Sequence, residues 1–150
     1  MAIIGRRCAT TSDEKFMREL HKAAYYDVVV QQFGKWDDAF QAALFSKKES
    51  LEKFEILELN HQLIGCIRIE NHPDHIFFAE IQILPEFQGR GIGSNIIRTE
   101  IARAYEIQKP IRLQVLRENK RAKHLYERLG FVEYGKTEKH FLFQIGVKKE

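Results

Sequence analysis

The sequence predicts a layered α/β (α+β) domain built on a mixed sheet. Three observations carry this. Short strand-like runs fill the middle and the end of the chain, while elsewhere apolar residues recur at helical spacing. IFFAEIQIL (76–84), a helix and PIRLQVL (110–116) follow one another as a βαβ unit, whose two strands should be parallel. Helices also stand before and after the strand-rich middle, as in a layered domain.

AIIGRR (2–7) reads as a short strand. A helix then starts at Thr11, where Thr11 and Glu14 have the spacing of a capping box, and it carries Phe16, Leu20, Ala23 and Ala24 on one face. A second helix near Trp36 puts Trp36, Phe40, Ala43 and Leu44 on one side. FEILEL (54–59) and LIGCIRIE (63–70) flank the turn NHQ as a hairpin, and NHPDH (71–75) makes the next turn. IFFAEIQIL is more continuously apolar and is stopped by Pro85. A helix from Gly91 to Ile107 has Ile97, Ile101, Ala104 and Tyr105 on one face. NKRAKHLYERLG (119–130) is a helix with Asn119 at its N-cap, Gly130 just past its end, and Ala122, Leu125, Tyr126 and Leu129 as its stripe. FVEYGKT (131–137) and HFLFQIG (140–146) close the chain as a hairpin, giving the order β-α-α-β-β-β-α-β-α-β-β.

The length of 150 residues suits one domain, 1–150, and the apolar fraction of 44% is that of a globular chain. The net charge of +3 is mild and its basic residues are scattered among acids, so no nucleic-acid partner is expected. Cys8 and Cys66 lie far apart, which is neither a disulfide framework nor a metal site, and the six histidines show no ligand spacing, so no metal is expected. No apolar run approaches membrane-spanning length, and MAIIGRRCATT lacks the apolar core of a signal peptide. A cytoplasmic protein with no membrane partner is the expectation.

The chemistry-bearing stretch is QGRGIGS (88–94). A strand that ends at a proline, then a glycine-rich turn, then a helix N-terminus makes an anion site: amide N–H groups point outward and the helix dipole adds positive potential. Gly89, Gly91 and Gly93 allow close approach, and Arg90 adds a cation. A P-loop is disfavoured, because Ser94 and Asn95 follow Gly93 and no lysine is present. A dinucleotide fingerprint is disfavoured as well, by glycine spacing and by position past mid-chain.

QGRGIG resembles the Q/R-x-x-G-x-G/A loop of the GNAT superfamily of acyl-CoA-dependent N-acetyltransferases. Asn119 to Phe131 resembles that family's second signature, N-x-x-A-x-x-x-Y-x-x-x-G-F, on the next helix. The resemblance is specific over residues 76–135 and architectural before that. It implies a GNAT-like mixed, mostly antiparallel sheet with a central βαβ unit, splayed parallel strands and helices on both faces. It also implies acetyl-CoA as acyl donor, with Gln88, Gly89, Arg90, Gly91, Ile92, Gly93 and Ser94 around the coenzyme A pyrophosphate. The backbone of Ile81, Gln82 and Ile83 would pair with the pantetheine arm, Asn119 would contact it, and Ala122 and Tyr126 would line the coenzyme side. Tyr126 matches the tyrosine near the thioester sulfur, where a phenol still protonated at neutral pH can reprotonate the leaving thiolate. A homodimer would fit the family.

The acceptor would be a primary amine, and an alkylammonium is neutral in only about one molecule in 2,500 at pH 7, so a base is needed. Glu80, inside an apolar strand and sharing a face with Phe78 and Gln82 by period-2 geometry, is the candidate. Some family members carry a glutamate base in the next strand; here Gln114 stands at that position, where it cannot take a proton as a carboxylate would but is a substrate-site candidate able to hold a water or the substrate amide. Tyr26 and Trp36, among acids in the first third, are candidates for a cationic substrate, with Gln41 and His140 as further candidates. Transfer would be direct, to a small amine or a peptide amine, since neither cysteine lies in a signature. The alternative is a non-catalytic acyl-CoA-binding module on the same fold.

Overall fold

A computed structural model describes residues 3–146; Ala2, the first residue of the expected N-terminal strand, lies outside them. The elements are β1 (Ile4–Cys8), α1 (Glu14–Phe33), α2 (Asp38–Ala43), α3 (Lys48–Leu51), β2 (Glu55–Leu59), β3 (Gln62–Asn71), β4 (Ile76–Ile83), α4 (Ile92–Glu106), β5 (Ile111–Leu116), α5 (Lys120–Arg128), β6 (Val132–Lys136) and β7 (His140–Ile145). This is the expected order with one addition, the four-residue helix α3. Its sequence, Lys-Glu-Ser-Leu, is too short for a periodic signal, and Leu51 anchors it by full burial. The strands hydrogen-bond in the order β1-β2-β3-β4-β5-β7-β6. β1–β2, β2–β3, β5–β7 and β6–β7 are antiparallel, and β4–β5 is parallel. The fold is therefore the mixed, mostly antiparallel sheet with a βαβ unit that the sequence predicts. The parallel ladder covers two residue pairs, Ile76 with Ile111 and Phe77 with Arg112.

The chain divides into two compact units, Met1–Arg68 with Glu80–Gln88, and Ile69–Ala79 with Gly89–Glu150. In the first, Met17 and Leu20 of α1, Phe45, Leu51, Phe54, Ile56 of β2 and Cys66 of β3 form one buried cluster. α1 does not begin with the expected Thr11–Glu14 box. The acid that folds back is Asp13, one residue earlier: its Oδ2 accepts from the Thr10 N–H at 2.8 Å, while Arg7 grips both of its oxygens at 2.9 Å. That fork fixes the shorter side chain. Arg7 also holds the Asp13 carboxyl below its ordinary pKa, first through this hydrogen bond.

The inward face of α1 is Met17, Leu20, His21 and Val29; of the expected stripe Leu20 is buried and Phe16 packs against the core, while Ala23 is exposed. The second helix is corrected too. Asp37 caps it by accepting from the Phe40 N–H at 3.0 Å, Trp36 precedes it, and Phe40 is 63% exposed. Gln41, Ala42 and Phe45 turn inward instead. The β2–β3 hairpin turns on Asn60 and His61, both with positive φ (51° and 65°), as a two-residue loop that follows strand twist requires.

In the second unit, β5 pairs with β7 over six residues, and Ile111, Leu113, Val115 and Phe143 are buried. The inward face of α4 is Ile96, Ile97, Glu100 and Ala104; Ile97 and Ala104 of the expected stripe are buried, while Tyr105 is turned out.

Gly65 on β3 sets the spacing of the strand that carries the chemistry. A Cβ there would lie 2.2 Å from the Gln82 carbonyl oxygen, a backbone atom that cannot swing away. Gly65→Ala should therefore lower stability by roughly 1–3 kcal/mol, read as a drop in denaturation midpoint, and disturb Gln82. An unchanged midpoint would mean that β3 and β4 have slack there.

Candidate active site

β4 puts Glu80 and Gln82 on one face, as period 2 dictates, and their side chains meet: Gln82 Nε2 donates to Glu80 Oε2 at 3.3 Å. Tyr25 of α1 donates its hydroxyl to the same oxygen, also at 3.3 Å. Gln82 Nε2 lies 3.1 Å from His21 Nδ1, and His21 Nε2 lies 2.8 Å from Gln41 Oε1. An amide NH2 can only donate, so Nδ1 accepts and the ring proton sits on Nε2, donating to Gln41. Five polar side chains from α1, α2 and β4 thus form one chain: Tyr25, Glu80, Gln82, His21, Gln41. Rings of Tyr25, Trp36 and Phe45 surround His21 at 5.3–5.4 Å between centroids.

Burial raises the Glu80 carboxyl above its ordinary pKa, and the Gln82 hydrogen bond, the charge of Arg68 and the Tyr25 hydrogen bond oppose the rise without cancelling it. A carboxylate in this setting has more proton affinity than a surface acid, as a base for an ammonium needs. Cys66 on β3 is a poor nucleophile, because burial, then the charge of Glu80, push its thiol up. A cavity of about 380 Å³ opens beside the network, walled by His21, Gln41, Trp36, Lys22, Glu19 and Asp38 among others. Trp36 is half-buried there, its ring 5.7 Å from that of Tyr26, which is 44% exposed. His21 is not among the residues that the sequence singles out; its helical spacing from Met17 is the signal that marks it.

The glycine turn is built as expected. Gly89 and Gly91 have φ of 76° and 79°, and Gly91 is the N-cap of α4. The first intrahelical bond is Asn95 N–H to Gly91 O at 3.0 Å, so the amides of Ile92, Gly93 and Ser94 have no carbonyl of their own helix to bond. No acid stands in the first turn of α4. Gly93 is helical with no positive φ, and a Cβ there would touch nothing within 4 Å. The protein's own packing gives no reason for a glycine at 93. Gln88 donates its side-chain N–H to the Ile83 carbonyl at 2.9 Å, tying the start of the loop to the end of β4; Ile83 is buried and Ile81 partly so. Arg90 is exposed.

Asn119 caps α5, its Oδ1 accepting from Ala122 N at 3.2 Å. α5 ends as Gly130 and Phe131 donate back to Glu127 and Tyr126, both bonds of a Schellman motif, with Gly130 at φ 101°. The apolar contact of that motif is Tyr126 against Phe131, rings edge-on at 5.5 Å. The buried Tyr126 ring is therefore oriented by the helix stop one turn away. Gln114 is exposed on β5, paired with Leu142. His140 opens β7 opposite Leu116, and burial followed by the charge of Lys139 lowers its pKa. Among the described residues no group of three or more His, Cys, Asp or Glu side chains could hold a metal ion, and no helix is long and apolar enough to cross a membrane.

The family model for the acetyltransferase (GNAT) domain matches residues 50–133. The chain belongs to the GNAT acetyltransferase family and is an acyl-CoA-dependent N-acetyltransferase. The spermidine N(1)-acetyltransferase of Vibrio cholerae serotype O1 is 28% identical to it over 145 residues, covering 90% of this chain and 82% of that one. The fold is similar to the PaiA N-acetyltransferase of Thermoplasma acidophilum in complex with coenzyme A, with a TM-score of 0.76 at 17% identity over 96% of this chain and 99% of that one. It is similar also to a spermidine N-acetyltransferase SpeG chimera of Vibrio cholerae and hSSAT, with a TM-score of 0.67 at 24% identity over 95% of each chain.

Between the ordinary carboxyl value of 4.5 and the raised one, the folded chain holds a proton at Glu80 that the unfolded chain has released. Stability therefore falls as pH rises through that window. Glu80→Gln removes this titration, so its melting temperature should gain on that of the unaltered protein over the same rise. Parallel curves would mean that Glu80 is solvated like a surface acid.

Proposed function

We propose that the protein moves an acetyl group from acetyl-CoA directly to a small primary amine, with Glu80 as the base and Tyr126 as the acid. The observation that carries this is the Glu80 carboxylate, met by the neutral donors Tyr25 and Gln82 and raised in proton affinity by burial. It accepts a proton from the incoming ammonium, directly or through water. The neutral amine attacks the thioester carbonyl, the C–S bond breaks, the thiolate takes a proton from the Tyr126 hydroxyl, and the proton shed by the acylated nitrogen passes through water to restore that phenol. The amides of α4's first turn and the bare Gly93 suit the coenzyme pyrophosphate. Asn119, its Oδ1 engaged in the cap, can offer its NH2 to the pantetheine. Residues 1–150 act as one catalytic domain on this reading, since β4 contributes residues to both compact units. Two free thiols and acetyl-CoA chemistry suit a reducing cytoplasm.

A small amine is preferred to a peptide terminus because a relative acting on spermidine is 28% identical, and because Gln114 replaces the carboxylate that some peptide-directed members carry. Trp36 and Tyr26 offer ring faces to a cation.

The deciding experiment is coenzyme A release from acetyl-CoA with a panel of spermidine, spermine, simple diamines and N-terminal peptides. Turnover with the small amines is expected. Coenzyme binding without turnover on any amine would favour a binding module, and turnover on peptides alone would overturn the choice of acceptor. Tyr126→Phe should lower kcat by roughly 10²–10⁴ with coenzyme affinity retained, and a near wild-type rate would return Tyr126 to the core. Gly93→Glu should keep the melting temperature, since space is open there, yet weaken coenzyme A in calorimetric titration. Unchanged affinity would remove the turn from the coenzyme site.

A further inference from the structure

We infer that Gln82 is a positioning residue whose amide lets the charge of Glu80 fix the tautomer of His21. The inference deepens the reading of Glu80 as the base and rests on it for its catalytic meaning. Gln82 is 2% exposed, and a single nitrogen, Nε2, reaches both Glu80 Oε2 and His21 Nδ1. Its Oε1 has no hydrogen-bond partner among the described residues. An amide nitrogen carries two hydrogens, and this geometry uses both.

The direction of every bond in the chain then follows from one charge. An ionised Glu80 only accepts, so Gln82 must turn its NH2 toward it rather than its oxygen. That NH2 also faces His21 Nδ1, which must therefore be bare, and the ring proton is forced onto Nε2. Nε2–H donates to Gln41 Oε1, which leaves Gln41 to offer NH2 groups to the cavity it lines. The alternative amide orientation would set an oxygen against the carboxylate, lone pair to lone pair, in a site with little water to relieve it.

The groups around this chain do not supply the same constraint. Facing Glu80 are Tyr25 and His21 on α1, Arg68 and Cys66 on β3, and Gln82 on its own strand. Facing His21 are Gln41 of α2 and the rings of Tyr25, Trp36 and Phe45. Gln82 is the residue whose side chain bonds both Glu80 and His21. The amide thus does two things for the reaction. It donates to the carboxylate and so opposes the rise in proton affinity that burial brings. It also sets which hydrogen-bonding groups the cavity wall presents.

The test reads the His21 ring nitrogens by ¹⁵N NMR in the resting protein, near neutral pH. The expected spectrum is a single Nε2–H tautomer. In Gln82→Met the lock is gone and the ring should show mixed tautomers. In Glu80→Gln, position 80 can donate as well as accept, so Gln82 is free to turn and His21 should again lose its single tautomer. An Nε2–H tautomer that persists unchanged in both variants overturns the inference, and so does a different tautomer in the unaltered protein. In kinetics, Gln82→Met should move the acid limb of kcat/KM for the amine up by about one pH unit, while KM for acetyl-CoA holds. An unmoved limb overturns the catalytic part. If Gln82→Met fails to fold, Glu80→Gln decides through the tautomer alone. Full amine turnover by Glu80→Gln would sink Glu80 as the base, and the tautomer would still report whether Gln82 couples the two groups.

Discussion

A carboxylate can be kept in a largely buried place only if donors meet it, and the arrangement around Glu80 follows from that demand. Tyr25 and Gln82 both bond Oε2, which brings α1 and β4 to one point. Gln82 then reaches His21, and His21 reaches Gln41, so the demand passes on to α2. The rings packed around His21 exclude water from these bonds and strengthen them. Met17 and Leu20, buried on the same helix as His21, hold that helix in the core cluster from which the ring is presented.

Backbone geometry does the corresponding work at the coenzyme end. Gly89 and Gly91 are required by their positive φ, while Gly93 is not, and a Cβ there would meet open space. Gln88 ties that turn to the last residue of β4 through the Ile83 carbonyl. On α5, the Schellman stop orients Tyr126 through Phe131. Each chemical group is thus held by a local device that costs the protein little: a turn, a cap or a helix end.

The fold was legible because its signals are local and repeated. Pro85, the glycine run, Asn119 as a cap and Gly130 as a stop each mark a boundary within a residue or so, and period 2 put Glu80 with Gln82. The errors came where a face depends on tertiary contact. Apolarity alone marks Ala23 of α1 as core, yet it is exposed, while the inward face includes Met17 and His21, the latter polar and satisfied by Gln41 and Gln82, distant in sequence. Likewise Phe40 looked like core and is exposed, while Gln41 turned inward to meet His21. A polar residue on a buried face is visible in a sequence only once its partner is known, and Gln82 lies 61 positions from His21.

The two thiols differ in a way that reaches past the chemistry. Cys66 is buried on β3, between β2 and β4, with its thiol driven up by burial, whereas Cys8 is exposed on β1, the outermost strand of its side of the sheet. A thiol-reactive probe would therefore find one address in the native chain and two in the denatured one. The unaltered sequence carries its own reporter of unfolding, and a fluorophore could be attached at a single place without engineering a cysteine in or out.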